Sequence, residues 1–559
     1  LFDKKMIVGS MKSTQIFNFS IDSIENIYPT SKMVNAVKYS PKGNYYAIGK
    51  KDGNLLVYNT HNDKKIMSFK HSDRINDIQF TLDERFIISA SYDKTVKIWS
   101  ILSGELIATL DAHKHWSYSA LNIENDRYLI STGADYKTIV WDLVSKKILY
   151  TRLQLQNGDW LVYDEHYRYD GTAAARDYLY FVCGTEIIDL AQMKDALYVP
   201  GLVEKIMSGQ EINYPKLSDL DICDALPVVE QIKSEDKNYH YKITPRRLGL
   251  EKVEVYVNNK RVFTIPRSEL TQDGDNYFLK IKATEIAKHF LSDADNTVNV
   301  IGIVRTSKGS ELKSRGSKVE FSSNEKKASN PPKLFAVMIG VNDYKDTSLN
   351  LNYPVKDAQD LGKSIESCAS KLLGKDNVFV YQINSDVNAD DGFTTPEKEG
   401  IRKALQEIGK KAKPEDVILM FFAGHGVMQG AEEKLFTFLT AEASNFNQTG
   451  INTKELQEWL SFEGPNKILA NKTILIFDAC NSGQATQELV ALARNDDETR
   501  RTRQVEDLKD KSGMFILAAS APNQSAYELP QYEQGLLTYS LLSVLKTNPD
   551  ILDNGQFLN

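Results

Sequence analysis

The feature that most restricts what this chain can fold into is a period. The stretches TQIFN, LLVYN, VKIWS and TIVWD align so that Phe17, Tyr58, Trp99 and Trp141 fall at one position, 41, 41 and 42 residues apart. Self-similarity at that spacing marks one supersecondary unit used repeatedly, each copy burying its apolar face against the next. The first third of the chain is therefore read as an array of small sheets and not as one compact core.

Within the array, Asp52, Asp93 and Asp135 stand six residues before their aromatics, and His71 and His113 stand 28 residues before Trp99 and Trp141. These residues resemble the His, Asp and Trp network of WD40 repeats. The resemblance implies β-propeller blades and gives the histidines a structural role. The repeat of Phe17 has Met11 where the aspartate would stand, so its network is incomplete. About three and a half blades are legible, against at least about four in a closed propeller, and further blades are expected ahead of residue 1. NGDWLVYDEHYRYDG and LVEKIMSG read as the edge and exit of the propeller and carry no chemistry.

Composition bounds the rest. A chain of 559 residues is too long for one core, and ordinary domain sizes give about three to four domains. An apolar fraction of 42% and a charged fraction of 26% describe a soluble globular protein, and a net charge of −7 argues against nucleic acid as a partner of the whole chain. Cys183, Cys223, Cys368 and Cys480 are sparse and irregularly spaced. That indicates neither a disulfide framework nor a zinc site, and favours a reducing, cytoplasmic setting. No apolar run approaches the roughly 18 residues that span a bilayer, so no membrane partner is expected. The opening LFDKK lacks an initiating methionine, which fits either a lost signal peptide or a longer parent chain.

Residues 226–322 change to antiparallel β grammar. VEVYVNNKRVFTI alternates around Asn258 and Asn259, and VNVIGIVRTSKGSELKSRGSKVEF turns at Lys308 and Gly309. Two such hairpins predict a small Ig-like β-sandwich. The polar stretch 323–332, ending in two prolines, reads as a linker. From Lys333 onward, LFAVMIGV, NVFVYQI, DVILMFFAGHG, KTILIFDAC and GMFILAAS alternate with helical stretches. That pattern predicts an α/β domain with a mostly parallel sheet covered on both faces.

Two of these strands end in reactive groups: FFAGHG places His425 beyond its carboxyl edge, and ILIFDACNSG does the same for Cys480. Ligands bind at the carboxyl edge of open α/β sheets, so neighbouring strands would bring both side chains to one crevice. A thiol with a pKa of about 8.5 is mostly protonated at neutral pH and needs a base to become a nucleophile. His425 is the only histidine after residue 333. Gly426 carries no side chain to obstruct its backbone N–H, which with that of Cys480 would hold a developing oxyanion.

FFAGHGV and IFDACNSG, in this order, resemble the His-Gly and Asp-x-Cys motifs of the caspase-like cysteine peptidases, and the D-x-C-x-S-G form resembles the metacaspase and orthocaspase branch. GLLTYSLLSVL resembles that family's closing helix, and the order of propeller, β module and peptidase resembles bacterial caspase-WD proteins. The resemblance implies a Cys480–His425 dyad. It also matches Asp478 and, in YPVKDA, Asp357 to carboxylates that line the pocket for the residue before the scissile bond; Glu528 in NQSAYE aligns loosely with a third. Carboxylates around one pocket favour Arg or Lys by charge-assisted hydrogen bonds.

Two further features stay outside the chemistry. NSDVNADDGFTTPE sets Asp386, Asn388, Asp390 and Glu397 at EF-hand-like positions, but Gly392 falls one place too late for the turn, so no metal site is assigned. No cofactor is required for the chemistry, and calcium, common as a regulator in that branch, is left without a site. RNDDETRRTRQVEDLKDKSG is too polar to bury a face. It carries Arg500, Arg501 and Arg503, read as self-cleavage candidates or alternatively as an anion-binding patch.

The whole reading is a multidomain protein: incomplete WD40 blades over 1–153, a connector over 154–225, the Ig-like module over 226–322, the linker over 323–332 and a caspase-like domain over 333–559. Its expected function is cysteine endopeptidase activity after basic residues in protein substrates, targeted or regulated by a protein partner on the propeller. The alternative is a catalytically inactive binding scaffold; a separase-like identity fits the DACNSG wording less well.

Overall fold

The structure is a computed structural model and describes all residues except 1–4, 12, 19, 21, 30–31, 185, 233–237, 293, 322–330, 387–394, 430–434, 445–448, 462–463, 481–513, 520–527, 530 and 548–559. The chain divides into two compact units, residues 1–221 and 222–559. Among the described residues no helix is long and apolar enough to cross a membrane.

The first unit is built of antiparallel sheets that follow the sequence period, consistent with propeller blades. A three-stranded sheet over Lys5–Pro29 precedes two four-stranded ones, over Val34–Lys70 and Ile75–Leu110. A fourth sheet begins at Ser117, and Trp160–Tyr163 and Tyr169–Gly171 extend it to six strands. The hydrogen bonds that pin the repeats are explicit. His71 Nδ1 lies 2.7 Å from Asp93, its Nε2 lies 2.8 Å from Ser89 Oγ, and Trp99 Nε1 donates to the same hydroxyl at 2.9 Å. His113, Asp135, Ser131 and Trp141 repeat this arrangement at 3.0, 3.0 and 2.9 Å. Burial opposes ionisation of Asp93, but hydrogen bonds from His71 and Thr95 outweigh it and hold the carboxyl well below its usual range. Cys183 and Cys223 are each disulfide-bonded, and Cys368 is a free thiol. Their irregular spacing had suggested no disulfide; pairing depends on Cα proximity in the fold, which spacing does not report.

The second unit opens with two antiparallel sheets, of four and five strands, closed over one core. Tyr241, Ile243, Leu279 and Ile281 face Val253, Val255, Val298 and Val300 there. Asn258 and Asn259 both take positive φ, 51° and 65°, the conformation a two-residue hairpin demands. Of the expected linker, residues 323–330 lie outside the described residues.

The rest of the unit is an α/β body whose elements we number in chain order: β1 Leu334–Gly340, α1 Pro354–Leu373, β2 Val378–Asn384, α2 Lys398–Lys411, β3 Val417–Gln429, β4 Leu435–Leu439, β5 Gly450–Asn452, α3 Thr453–Leu460, β6 Lys472–Cys480, β7 Met514–Ala518, β8 Glu528–Leu529, β9 Gln534–Gly535 and α4 Leu536–Thr547. The parallel strands run in the order β2, β1, β3, β6, β7. Alternate residues of β1 serve opposite faces. Phe335, Val337 and Ile339 pack with Ile401 and Leu405 of α2 and Leu456 and Leu460 of α3. Ala336 and Met338 pack with Ala358 and Leu361 of α1 and Leu542 of α4. All seven residues of β1 are buried, which explains its continuous apolar run.

Candidate active site

The two strands that carry the reactive residues are neighbours. β3 and β6 pair in parallel from Val417 opposite Lys472 to His425 opposite Cys480. His425 does not lie beyond the strand, as the sequence had suggested. β3 continues to Gln429 and, from Gly426 on, pairs antiparallel with β4, so the histidine sits inside the ladder where one partner strand replaces the other. The backbone of Cys480 is described; its side chain is not.

The ring of His425 is buried and held from a third element. Its Nε2 lies 2.8 Å from the carbonyl oxygen of Leu349. A carbonyl only accepts, so Nε2 carries the proton and Nδ1 is the basic nitrogen of the neutral ring. Leu349 is positioned by the loop after β1, where polar side chains fold the chain back on itself. Asp346 accepts from Ser348 N–H at 3.1 Å, Asn350 Oδ1 from Tyr344 N–H at 2.9 Å, and Asn342 Oδ1 from Val355 N–H at 2.9 Å. The same loop supplies Tyr344, whose hydroxyl accepts the backbone N–H of His425 at 3.0 Å and whose ring lies 5.1 Å from the imidazole. Gly424 makes room for it: φ there is 151°, and a Cβ would come within 2.8 Å of that hydroxyl. Neither Tyr344 nor Leu349 was legible as a site residue, because a backbone carbonyl has no sequence signature. The clustered Asn and Asp of NDYKDTSLN was the available signal.

Gly426 has a packing reason for its small size. A Cβ there would lie 2.6 Å from Phe436 Cε2, and Phe436 closes on Phe477 of β6 with ring centroids 5.5 Å apart. Phe422 stacks on Phe477 at 4.9 Å, so an aromatic cluster supports the ends of both strands.

The expected pocket acids converge on Gly535, the residue just before α4. Asp357, in the first turn of α1, accepts the Gly535 N–H at 3.0 Å. Asp478, on β6, accepts both the N–H and the hydroxyl of Thr538, at 3.2 and 2.7 Å. A Cβ on Gly535 would come within 2.7 Å of Asp478 Oδ2 and 3.1 Å of Asp357 Oδ2. Glu528 is the register partner of Gly535 across β8 and β9; its side chain lies outside the described set. Both described acids are almost fully buried; Asp357 serves the N–H of the residue before α4 and Asp478 a first-turn N–H of that helix, where helix geometry favours negative charge. Burial pushes the Asp478 carboxyl above its ordinary value, with the Thr538 hydrogen bonds drawing it partly back. Asp360, one turn beyond Asp357, accepts from Gln534 at 3.1 Å and is an acid of this region the sequence reading passed over.

Arg500, Arg501 and Arg503 lie outside the described residues. So do 387–394, leaving only Asp386, Thr395, Pro396 and Glu397 of the acidic loop beyond its first two residues. Among the described residues no group of three or more His, Cys, Asp and Glu is arranged to hold a metal.

Comparison with known families places both ends of the chain. Residues 333–559 match the caspase domain model, and residues 63–100 match the WD domain, G-beta repeat model. The chain joins WD40 repeats to a caspase domain. The caspase match begins at the residue before β1 and includes His425, Cys480 and the acids around Gly535. Among curated proteins the chain is similar to DDB1- and CUL4-associated factor 10 of Homo sapiens, 29% identical over 129 residues, 22% of this chain and 23% of that protein. It is also similar to a chromatin assembly factor 1 subunit FAS2 homolog of Oryza sativa subsp. japonica, 26% identical over 145 residues, 23% of this chain and 28% of that protein. The chain thus spans less than a third of the length of these relatives. The WD40 repeats support protein–protein interaction, and the caspase domain supports a cysteine-peptidase fold.

Proposed function

We propose that the caspase domain is an active cysteine endopeptidase of the metacaspase and orthocaspase type, cleaving after Arg or Lys, with its WD40 repeats engaging a protein partner. The observation that carries this reading is the register that sets Cys480 opposite His425 while Leu349 holds the imidazole Nε2–H. Nδ1 takes the thiol proton as sulfur adds to the scissile carbonyl. The backbone N–H groups of Gly426 and Cys480 face the oxyanion, and the imidazolium returns its proton to the leaving amine as the C–N bond breaks. Water, deprotonated by the same ring, then releases the acyl group and restores the thiol.

Asp357, Asp478 and Glu528 form the acceptor for the basic side chain, with Asp357 and Asp478 already drawn together at Gly535. The module over 226–322 is Ig-like in this reading; the disulfide bonds of Cys183 and Cys223 remove the cysteine argument for a reducing, cytoplasmic setting. Calcium, if it regulates the enzyme, has no assigned ligands and enters no step. An inactive scaffold would have no need of a cysteine and a histidine in register on neighbouring strands.

Cys480→Ala, His425→Ala and the double variant test the reading on a fluorogenic peptide with Arg at the cleaved position. Each single change should abolish turnover, and the double should be scarcely worse than either, because the two groups act as a unit. Full activity in Cys480→Ala would sink the mechanism, and a wild-type protein inert to all basic peptides would favour the scaffold.

A further inference from the structure

A fully buried lysine joins the β-sandwich to the strand that carries Cys480. Lys260 follows the Asn258–Asn259 turn and is 1% exposed. Nζ donates to the carbonyl oxygens of Ile468 at 3.0 Å and Ala470 at 2.6 Å. These residues lie on the segment that leads directly into β6. The next residue, Asn471, donates its side-chain amide to the His289 carbonyl of the sandwich at 3.2 Å and its backbone N–H to Pro414, just ahead of β3, at 3.0 Å. The sandwich therefore grips the segment ahead of β6, and that segment is bonded in turn to the residue ahead of β3, at the edge opposite the candidate dyad.

That grip bears on the site because the dyad depends on strand register. Cys480 faces His425 only while Lys472 faces Val417, eight residues back along both strands. A one-residue slip would turn every side chain of β6 to the other face of the sheet. Burying an amine is costly unless it is hydrogen-bonded, and here two carbonyls supply the bonds. Burial holds the Lys260 pKa down to about 7, and a neutral amine, with two N–H groups, still matches two carbonyls. A buried lysine spent on two backbone oxygens of another fold element is a poor choice for stability alone and a good one for fixing a position.

We infer that Lys260 is a positioning residue for Cys480: through it the sandwich sets the start of β6, and with it the register that places the thiol strand against His425. This rests on the dyad reading for its catalytic consequence but not for its structural content. The test compares the wild-type chain with Lys260→Met, which keeps the side-chain length and removes the donors, and Lys260→Gln, whose amide keeps two N–H groups. Hydrogen exchange is read on the amides of 472–479, on β1 and β2, and on the propeller. The expected result is exchange about tenfold faster or more in β6, confined to β6 and β3, with partial rescue in Lys260→Gln. On the Arg peptide, kcat should fall while KM changes little. Unchanged β6 exchange in a folded Lys260→Met protein overturns the inference, and so does a uniform rise across residues 222–559, which would mark general destabilisation. If Lys260→Met does not fold, Lys260→Gln decides by the same localisation. A wild-type chain without peptidase activity would defeat the proposed function while leaving the exchange result to judge the register role.

Discussion

His425 and Cys480 are register partners across the parallel pair β3 and β6, fifty-five positions apart in the chain and directly opposite in the sheet. Cys480 ends β6, His425 stands where the partner of β3 changes from β6 to β4, and the aromatic cluster of Phe422, Phe436 and Phe477 backs them. Two backbone positions set by ladder geometry are fixed more tightly than two carried on loops.

Tyr344→Phe should lower kcat about tenfold with little change in KM, because the ring stays while the acceptor for the His425 N–H is lost and the base is less firmly oriented. Leaving that buried N–H unsatisfied should also cost about 1–3 kcal/mol of stability. Steady-state kinetics and thermal melting on the same preparation check both; an unchanged kcat would show that the hydroxyl has no part in orienting the base.

Asp478→Asn should separate stability from specificity. Burial raises the folded pKa of Asp478 above its unfolded value, so the folded state binds the proton more readily. The stabilisation from that protonation is fully present below the unfolded pKa and is lost as pH rises through the folded one. At neutral pH the buried charge is thus a cost, and asparagine removes it while still accepting from Thr538. The variant should melt no lower than wild type at pH 7 to 8, lose the wild type's fall in stability above about pH 4, and turn over Arg peptides at least about tenfold more slowly. A lower melting temperature with unaltered Arg preference would assign Asp478 to structure alone.

Self-processing should occur within 494–513. Incubated active protein is expected to give two fragments with a new terminus after Arg500, Arg501 or Arg503, and Asp478→Asn should slow that cut in proportion to its loss on Arg peptides. N-terminal sequencing of the fragments checks this. Cleavage after an aspartate would reverse the assigned charge of the pocket.

What was legible in the sequence is what rests on short-range pattern. The 41-residue period, the Asn258–Asn259 turn, the continuous apolar run of β1 and the strand end at Cys480 each follow from local geometry (strand pleat, turn dihedrals and burial on two faces), whereas the continuation of β3 past His425 does not. The WD40 histidines, too, announced their aspartates and tryptophans by constant spacing, though Ser89 and Ser131, which join ring to indole, did not stand out among ordinary serines.

Tertiary structure alone decided the rest, because the deciding groups are backbone atoms or distant in sequence. The Leu349 carbonyl selects the tautomer of His425, yet any residue could supply a carbonyl. Gly535 gathers Asp357 and Asp478 because α4 docks its first turn between α1 and β6, a meeting no spacing encodes. Lys260 lies over two hundred positions from the carbonyls it serves. In sequence it is one more lysine after a turn. Only the packing of the sandwich against the start of β6 removes it from water and makes its two hydrogen bonds count.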